Sequence, residues 1–252
     1  MRLGEPTQFG LSYLTGRGVV SNFSLGTEAR YTRALIDIFQ DGERVADVNT
    51  RVASVTGGVA RTIGRTTVAG VRAAAEYLDA DFRIADSDSA QKRTYYTAGA
   101  LLWRDTFDRS VFPTRGVAVR ARSEVGYHRL GGERSFSQHA LDVEQILGLT
   151  RTTVLRFRVV AGLSRGDDLP VHRAFFLGGT LPSPAFPETQ PIFWGLKPQE
   201  RTGRAVQVFR ISAQREILSD LYGTVGVNVG NALERWRFRS AGMAPSRLPS
   251  AA

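Results

Sequence analysis

Alternation of apolar and polar residues with a period of two, kept up over unusually long segments, constrains this chain more than any other feature. Between Gly116 and Tyr127, Val117, Val119, Ala121, Val125 and Tyr127 fall on one face and Arg120, Arg122 and Glu124 on the other. Thr153, Leu155, Phe157, Val159, Ala161 and Leu163 likewise oppose Arg156, Arg158, Gly162 and Ser164. Phe209, Ile211 and Ala213 oppose Arg210, Ser212 and Gln214. Leu221, Val225, Val227 and Val229 oppose Tyr222, Thr224, Asn228 and Gly230. Such segments are strands with one greasy and one polar face. The spacing predicts about ten strands, near 7–15, 22–40, 46–61, 66–82, 92–106, 116–128, 135–149, 152–164, 204–217 and 221–230. Several exceed the roughly 5–6 residues usual in globular sheets, and 22–40 is the least regular.

A soluble sandwich also alternates, so the connections carry the next step. Ile63-Gly64-Arg65, 149–151 and Leu218-Ser219-Asp220 read as tight, while 83–91 and above all 165–203 read as long. Short turns at one end and long loops at the other are the rhythm of an outer-membrane barrel, whose periplasmic turns are short. On that reading 165–203 begins outside. The mean hydropathy of -0.18 and the lack of an apolar run of about 18 residues argue against a membrane helix. Barrel strands need only about 9–11 alternating residues, so they leave the average looking polar.

A net charge of +9 would suit a nucleic-acid binder. The positive residues are nearly all arginine, with only Lys92 and Lys197 as lysines, and they are spread over strand positions instead of gathered in one patch. Arg120, Arg122 and Glu124 on one strand, Asp142 and Glu144 on the next, and Arg156 and Arg158 on the one after can pair across a sheet inside a lumen. No Gly-x-Ser-x-Gly elbow is present, and without cysteine no thiolate metal site is available. His128, His139 and His172 are too widely spaced for a metal pair and read as ordinary loop or strand residues; Asp167-Asp168 reads as solvated loop. Gly57-Gly58 and Gly131-Gly132 fall in a strand and a hairpin, so no phosphate cradle follows. No catalytic residue, cofactor or metal is expected.

Two segments are more specific than generic strand. Asp105-Thr-Phe-Asp-Arg-Ser-Val-Phe-Pro-Thr-Arg-Gly116 leads into an alternating strand. Pro113 fixes φ, Thr114 can bond local backbone, and Gly116 accepts a positive φ. Some 60 residues on, Ala174-Phe-Phe-Leu-Gly-Gly179 opens the long loop. In this order the two resemble the bacterial surface antigen family, the C-terminal barrel of outer-membrane assembly factors and two-partner secretion transporters. The resemblance runs from about Leu25 to Asn231, ending on Gly230-Asn231. It implies an all-β, antiparallel transmembrane barrel, present in part as about ten strands of a barrel of about 16. It singles out Asp105, Asp108, Arg109, Pro113, Thr114 and Gly116 in the turn, and Phe175, Phe176, Gly178, Gly179 and Phe186 in a loop folded into the lumen. The family carries a Val-Arg-Gly-aromatic motif in that loop, whose Arg reaches the inner wall. Here Pro184 and Ala185 stand at the Arg and Gly positions of Leu181-Pro-Ser-Pro-Ala-Phe-Pro187, as in the barrels fused to patatin-like phospholipases.

The resemblance implies a place in the bacterial outer membrane and a role in inserting or secreting protein, with lipid as one partner and a client polypeptide or a fused periplasmic or passenger domain as another. One alternative is the anchoring barrel of a patatin-like phospholipase whose catalytic domain lies outside this chain. Another is a soluble basic β protein that binds nucleic acid. Residues 1–231 are expected to form the barrel domain and 232–252, rich in Arg, Pro and Ser, an irregular tail. No secretory signal is read in residues 1–10, so a preceding segment is expected.

Overall fold

A computed structural model describes residues 7–15, 22–40, 43–84, 87–130, 132–180, 188–218 and 221–233. Its main body is one antiparallel meander of ten strands: β1 (Thr7–Thr15), β2 (Phe23–Gln40), β3 (Glu43–Ile63), β4 (Thr67–Ile84), β5 (Ser87–Asp105), β6 (Gly116–Tyr127), β7 (Arg134–Gly148), β8 (Thr153–Arg165), β11 (Ala205–Leu218) and β12 (Leu221–Leu233). Two three-residue strands between β8 and β11, β9 (Phe175–Leu177) and β10 (Arg201–Gly203), pair with each other in a separate small sheet. The fold is therefore all-β and antiparallel, as the alternation predicts. β2 runs unbroken through the segment whose pattern is least regular. β12 reaches Leu233, two residues into the expected tail; residues 234–252 lie outside the described residues.

The expected rhythm of loop lengths holds after β3, β7, β8 and β11 and fails at two connections. β4 runs to Ile84 and β5 starts at Ser87, so the polar stretch 83–91 is mostly strand and its connection is short. Conversely 106–115, at the end where connections should all be tight, is a ten-residue excursion. Polar composition misled because strands that outrun the membrane carry polar residues on the outer face, where lipid would require apolar ones.

The two faces of the sheet differ as lipid and lumen require. Along the outer face, Phe9, Tyr31, Ala53, Tyr77 and Thr94 stand side by side in register on β1 to β5. One step along, Tyr96 pairs with Tyr127. Toward the tight turns this aromatic row is followed by an exposed apolar field that includes Val55, Val59, Val71, Leu102, Leu141, Val159, Phe209, Val225 and Val227. From Tyr77 back to Ala69, or from Tyr127 back to Val117, the field is about nine to eleven residues long, the length a tilted strand needs to cross a bilayer. Beyond the row the outer face becomes ionic, with Arg51 3.2 Å from Asp79 and 3.9 Å from Asp81. β2 to β5 thus overshoot the apolar band by about eight residues each, or roughly 25 Å at ~3.3 Å per residue.

The inner face of this overshoot is apolar: Ala34, Ile36, Val48, Leu78, Ala80 and Tyr95 are buried there. What buries them is the 166–204 connection, which folds inward. Phe176, with Leu169, Val171 and Ala174, packs on that wall. Phe175, Leu177 and Phe193 pack on the opposite wall with Val206 and Val208 of β11. Adjacent residues of one short strand therefore bridge two walls of the rolled sheet.

Candidate functional site

The interior is organised around Arg173, which ends one turn of 3-10 helix at Val171–Arg173. Its guanidinium donates to Glu76 of β4 at 3.0 Å and to Glu124 of β6 at 3.1 Å. Both carboxylates are almost wholly buried, Glu124 at 2% exposure and Glu76 at 6%. Charges so deep survive only when each lone pair finds a donor. Glu124 also accepts from Arg72 at 3.0 Å, and Glu76 is bonded to buried His172 at 2.7 Å. Glu188, on the returning arm of the loop, joins Arg72 and Arg122. Gln138 of β7 donates to the Arg173 carbonyl at 2.5 Å and to Ser164 at 3.1 Å. β4 and β6 thus hold the loop through a single ionic cluster, and Gln138 of β7 adds a neutral hydrogen bond.

Shape reinforces charge. Gly162 of β8 leaves a flat floor on which the Phe175 ring lies, and a Cβ there would sit inside that ring's van der Waals envelope. Gly126 of β6 does the same for Phe136, and a Cβ on Gly230 would come within 3.2 Å of Phe193. Gly178 and Gly179 have φ of 135° and 88°, and these positions run close against Lys197 and Pro198 of the returning arm. Further along, Arg210 donates to the Ile192 carbonyl at 2.6 Å and lies 4.3 Å over the Trp194 ring. The backbone N–H of Asp37 donates to Gln199 at 2.9 Å, so the loop also touches β2. Asp168 joins Arg93 and His128. Asp168 keeps about a third of its side chain exposed, at 36%, and Asp167 is exposed, so the pair stays at the solvated surface with one member ion-paired.

The lumen charges pair across the sheet as the alternation predicted: Arg158 with Asp142 at 2.7 Å, Arg120 with Asp142 at 3.6 Å, and Arg156 with Glu144 at 3.6 Å. His139 is exposed and bonded to Ser123 at 2.9 Å. Among the described residues, no group of three or more His, Asp or Glu is arranged to hold a metal ion.

The expected site residues fall into two separate places. Phe175, Phe176, Gly178 and Gly179 are in the loop inside the lumen, while Phe186 and the whole 181–187 stretch lie outside the described residues. Asp105, Asp108, Arg109, Pro113, Thr114 and Gly116 are at the opposite end of β6, in the connection from β5. There Asp108 accepts from the Thr114 backbone at 2.8 Å, from the Thr114 hydroxyl, and from the Arg115 backbone at 3.2 Å. The Thr114 hydroxyl and then these backbone donors hold its carboxyl down at about 2. Asp105 caps the Phe107 N–H at 2.9 Å, and Gly116 has φ of 124° with room for no Cβ, which would lie 2.5 Å from the Thr106 carbonyl. The sequence alone did not single out Arg173, Arg72, Glu76 or Glu188, and His172 read as an ordinary loop or strand residue. A usable signal was Arg72 and Glu76, two charges on one face of an otherwise alanine-rich strand.

Residues 5–183 match the model of the Omp85 superfamily domain. The ten-strand meander with its buried, charge-anchored loop is an outer-membrane β-barrel architecture, and the chain belongs to the Omp85 superfamily, a protein of the bacterial outer membrane. Among solved structures it is similar to BamA from Haemophilus ducreyi lacking POTRA domains 1-3. The TM-score is 0.67 at 12% identity, over 90% of this chain and 49% of that one. It is also matched to the translocator domain of autotransporter NalP from Neisseria meningitidis, at a TM-score of 0.46 and 11% identity, over 90% of this chain and 75% of that one. The chain thus spans about half the length of the BamA chain it resembles. No curated protein sequence matches it.

Proposed function

We propose that this chain is the barrel portion of a protein that inserts polypeptides into, or secretes them across, the bacterial outer membrane. The observation that carries this reading is the loop held in the lumen by Arg173 between Glu76 and Glu124. Membership of the Omp85 superfamily and the BamA-like fold support it. The usual loop Arg is missing from 184–185, and Arg173, upstream of Phe175, takes its place on the inner wall. The loop end then faces the exterior and the tight turns the periplasm. A client strand would be handled by main-chain pairing at a sheet edge. In this reading residues 1–233 form the barrel domain and residues after 233 the tail.

The test replaces Arg173 with Ala in the full-length protein and measures client delivery to the outer membrane, or to the medium, in cells depleted of the wild type. Removing Arg173 takes from two buried carboxylates the cation that they share, a loss of about 3–5 kcal/mol of loop anchorage. Delivery should collapse while the barrel itself still inserts. Undiminished delivery with a released loop would refute the proposal. A second reading, a barrel anchoring a patatin-like lipase, draws on the departure at Pro184 and Ala185; a Gly-x-Ser-x-Gly elbow encoded upstream in the same reading frame would decide for it.

A further inference from the structure

We propose that the 106–115 connection is a strap drawn across the turn-side mouth of the lumen and latched by Phe112 on Tyr222. A tight turn would fold back over its own two strands. This one does not. The Phe112 ring stacks on that of Tyr222 with centroids 3.9 Å apart and planes at 14°. Tyr222 belongs to β12, and its even-numbered position puts it on the lumen face with Thr224 and Asn228. Between β6 and β12 stand β7, β8 and β11, so the strap crosses about 19 Å of sheet at ~4.8 Å per strand. On the way the Thr114 carbonyl passes the end of β7, where a Cβ on Gly148 would lie 3.2 Å from it. Pro113 is buried, as are Ala118, Ile146 and Val154 at the adjoining strand ends. Those strand ends would lie open at an uncovered mouth.

The strap has a stiff base and a strained tip. At the base, the Thr106 hydroxyl takes a hydrogen bond from the Val117 N–H at 2.8 Å and gives one to the Val117 carbonyl at 2.9 Å, while Asp108 ties down Thr114 and Arg115. At the tip, Phe112 has a φ of 51°, a left-handed conformation that a bulky side chain holds only against a compensating contact. Tyr222 supplies that contact. Losing it would free the tip to relax and swing off the buried strand ends that it crosses, Ala118 among them. The ionic loop closes the lumen at one end; the strap closes it at the other.

The chain has no cysteine, so a single Ala118→Cys reporter reads the mouth directly. In the full-length protein in outer membranes opened to the periplasmic side, a charged, membrane-impermeant maleimide should modify it slowly. Adding Phe112→Ala or Tyr222→Leu should speed modification about three- to ten-fold, the population change that one aromatic stack is worth. Tyr222→Phe keeps the ring and should leave the rate unchanged. Equal rates with and without Phe112→Ala overturn the proposal, as does acceleration by Tyr222→Phe as large as by Tyr222→Leu, which would signify general loosening. Should the Ala or Leu variants fail to insert, the Phe112→Cys, Tyr222→Cys pair without the reporter decides: prompt disulfide formation under mild oxidant supports the latch, and its absence overturns it.

Discussion

Gly162 and Gly57 are both strand glycines, yet they occupy opposite faces and should respond oppositely to one methyl group. Gly162→Ala drives a carbon into the Phe175 ring, and overpacking of this kind costs about 1–3 kcal/mol. Gly57→Ala meets nothing within 4 Å on the lipid side and should be neutral. Protease protection of the loop, compared in the two variants, checks the contrast. Asp108 gives a second residue-scale expectation. Its carboxyl is held at about 2 in the folded turn, below the roughly 3.9 of an unfolded Asp. The turn is therefore fully supported above about pH 4, and that support is lost as pH falls through about 2. Cleavage within 106–115 by an acid-active protease should rise over that interval in the parent. Asp108→Asn should cleave faster at pH 5 and lose the dependence.

At the scale of elements, all ten main strands were legible because lipid on one side and a polar lumen on the other enforce strict alternation, as in Gly116–Tyr127. The alternation itself ends the band: once β2 to β5 pass the tyrosine row, Arg51, Asp79 and Asp81 replace apolar residues outside while Ile36, Val48 and Leu78 replace polar ones inside. Read without the sheet, that inversion looked like a loop at 83–91. The loop core was half legible. Phe175, Phe176, Gly178 and Gly179 stood out by composition, but Arg173 could be assigned only after Glu76 and Glu124, 97 and 49 residues away, were seen to converge on it. Placement of the band makes its own prediction. Ala73→Arg, in mid-band on β4 between Ala69 and Tyr77, should cost about 2–4 kcal/mol of stability in a bilayer, against about 0–1 near an interface. Ala53→Arg, level with the tyrosine row, should fall in the smaller class when both are measured by reversible unfolding in liposomes.

Taken whole, the molecule is a rolled sheet whose interior is filled from one end by a loop and strapped at the other, with an apolar belt around part of its height. The sheet's end strands β1 and β12 pair with each other nowhere among the described residues, and β1 is exposed along its entire length. Such an edge attracts further strands. Adding detergent-solubilised β-strand peptides, the β12 sequence among them, should therefore raise the fraction of refolded protein that migrates as a compact, heat-modifiable species. No rise with any peptide would argue against a strand-accepting edge.

The overshoot of β2 to β5 beyond the tyrosine row means that this one chain dissolves in two solvents. Ile36, Val48 and Leu78 are driven together by water, exactly the force that has no purchase on Val55 or Val71, which lipid already satisfies. The tall side of the wall and the loop leaning on it should accordingly behave as a small aqueous protein mounted on a membrane one. Cooling, urea and salting-out ions will tune the first part, while acyl-chain length will tune the second.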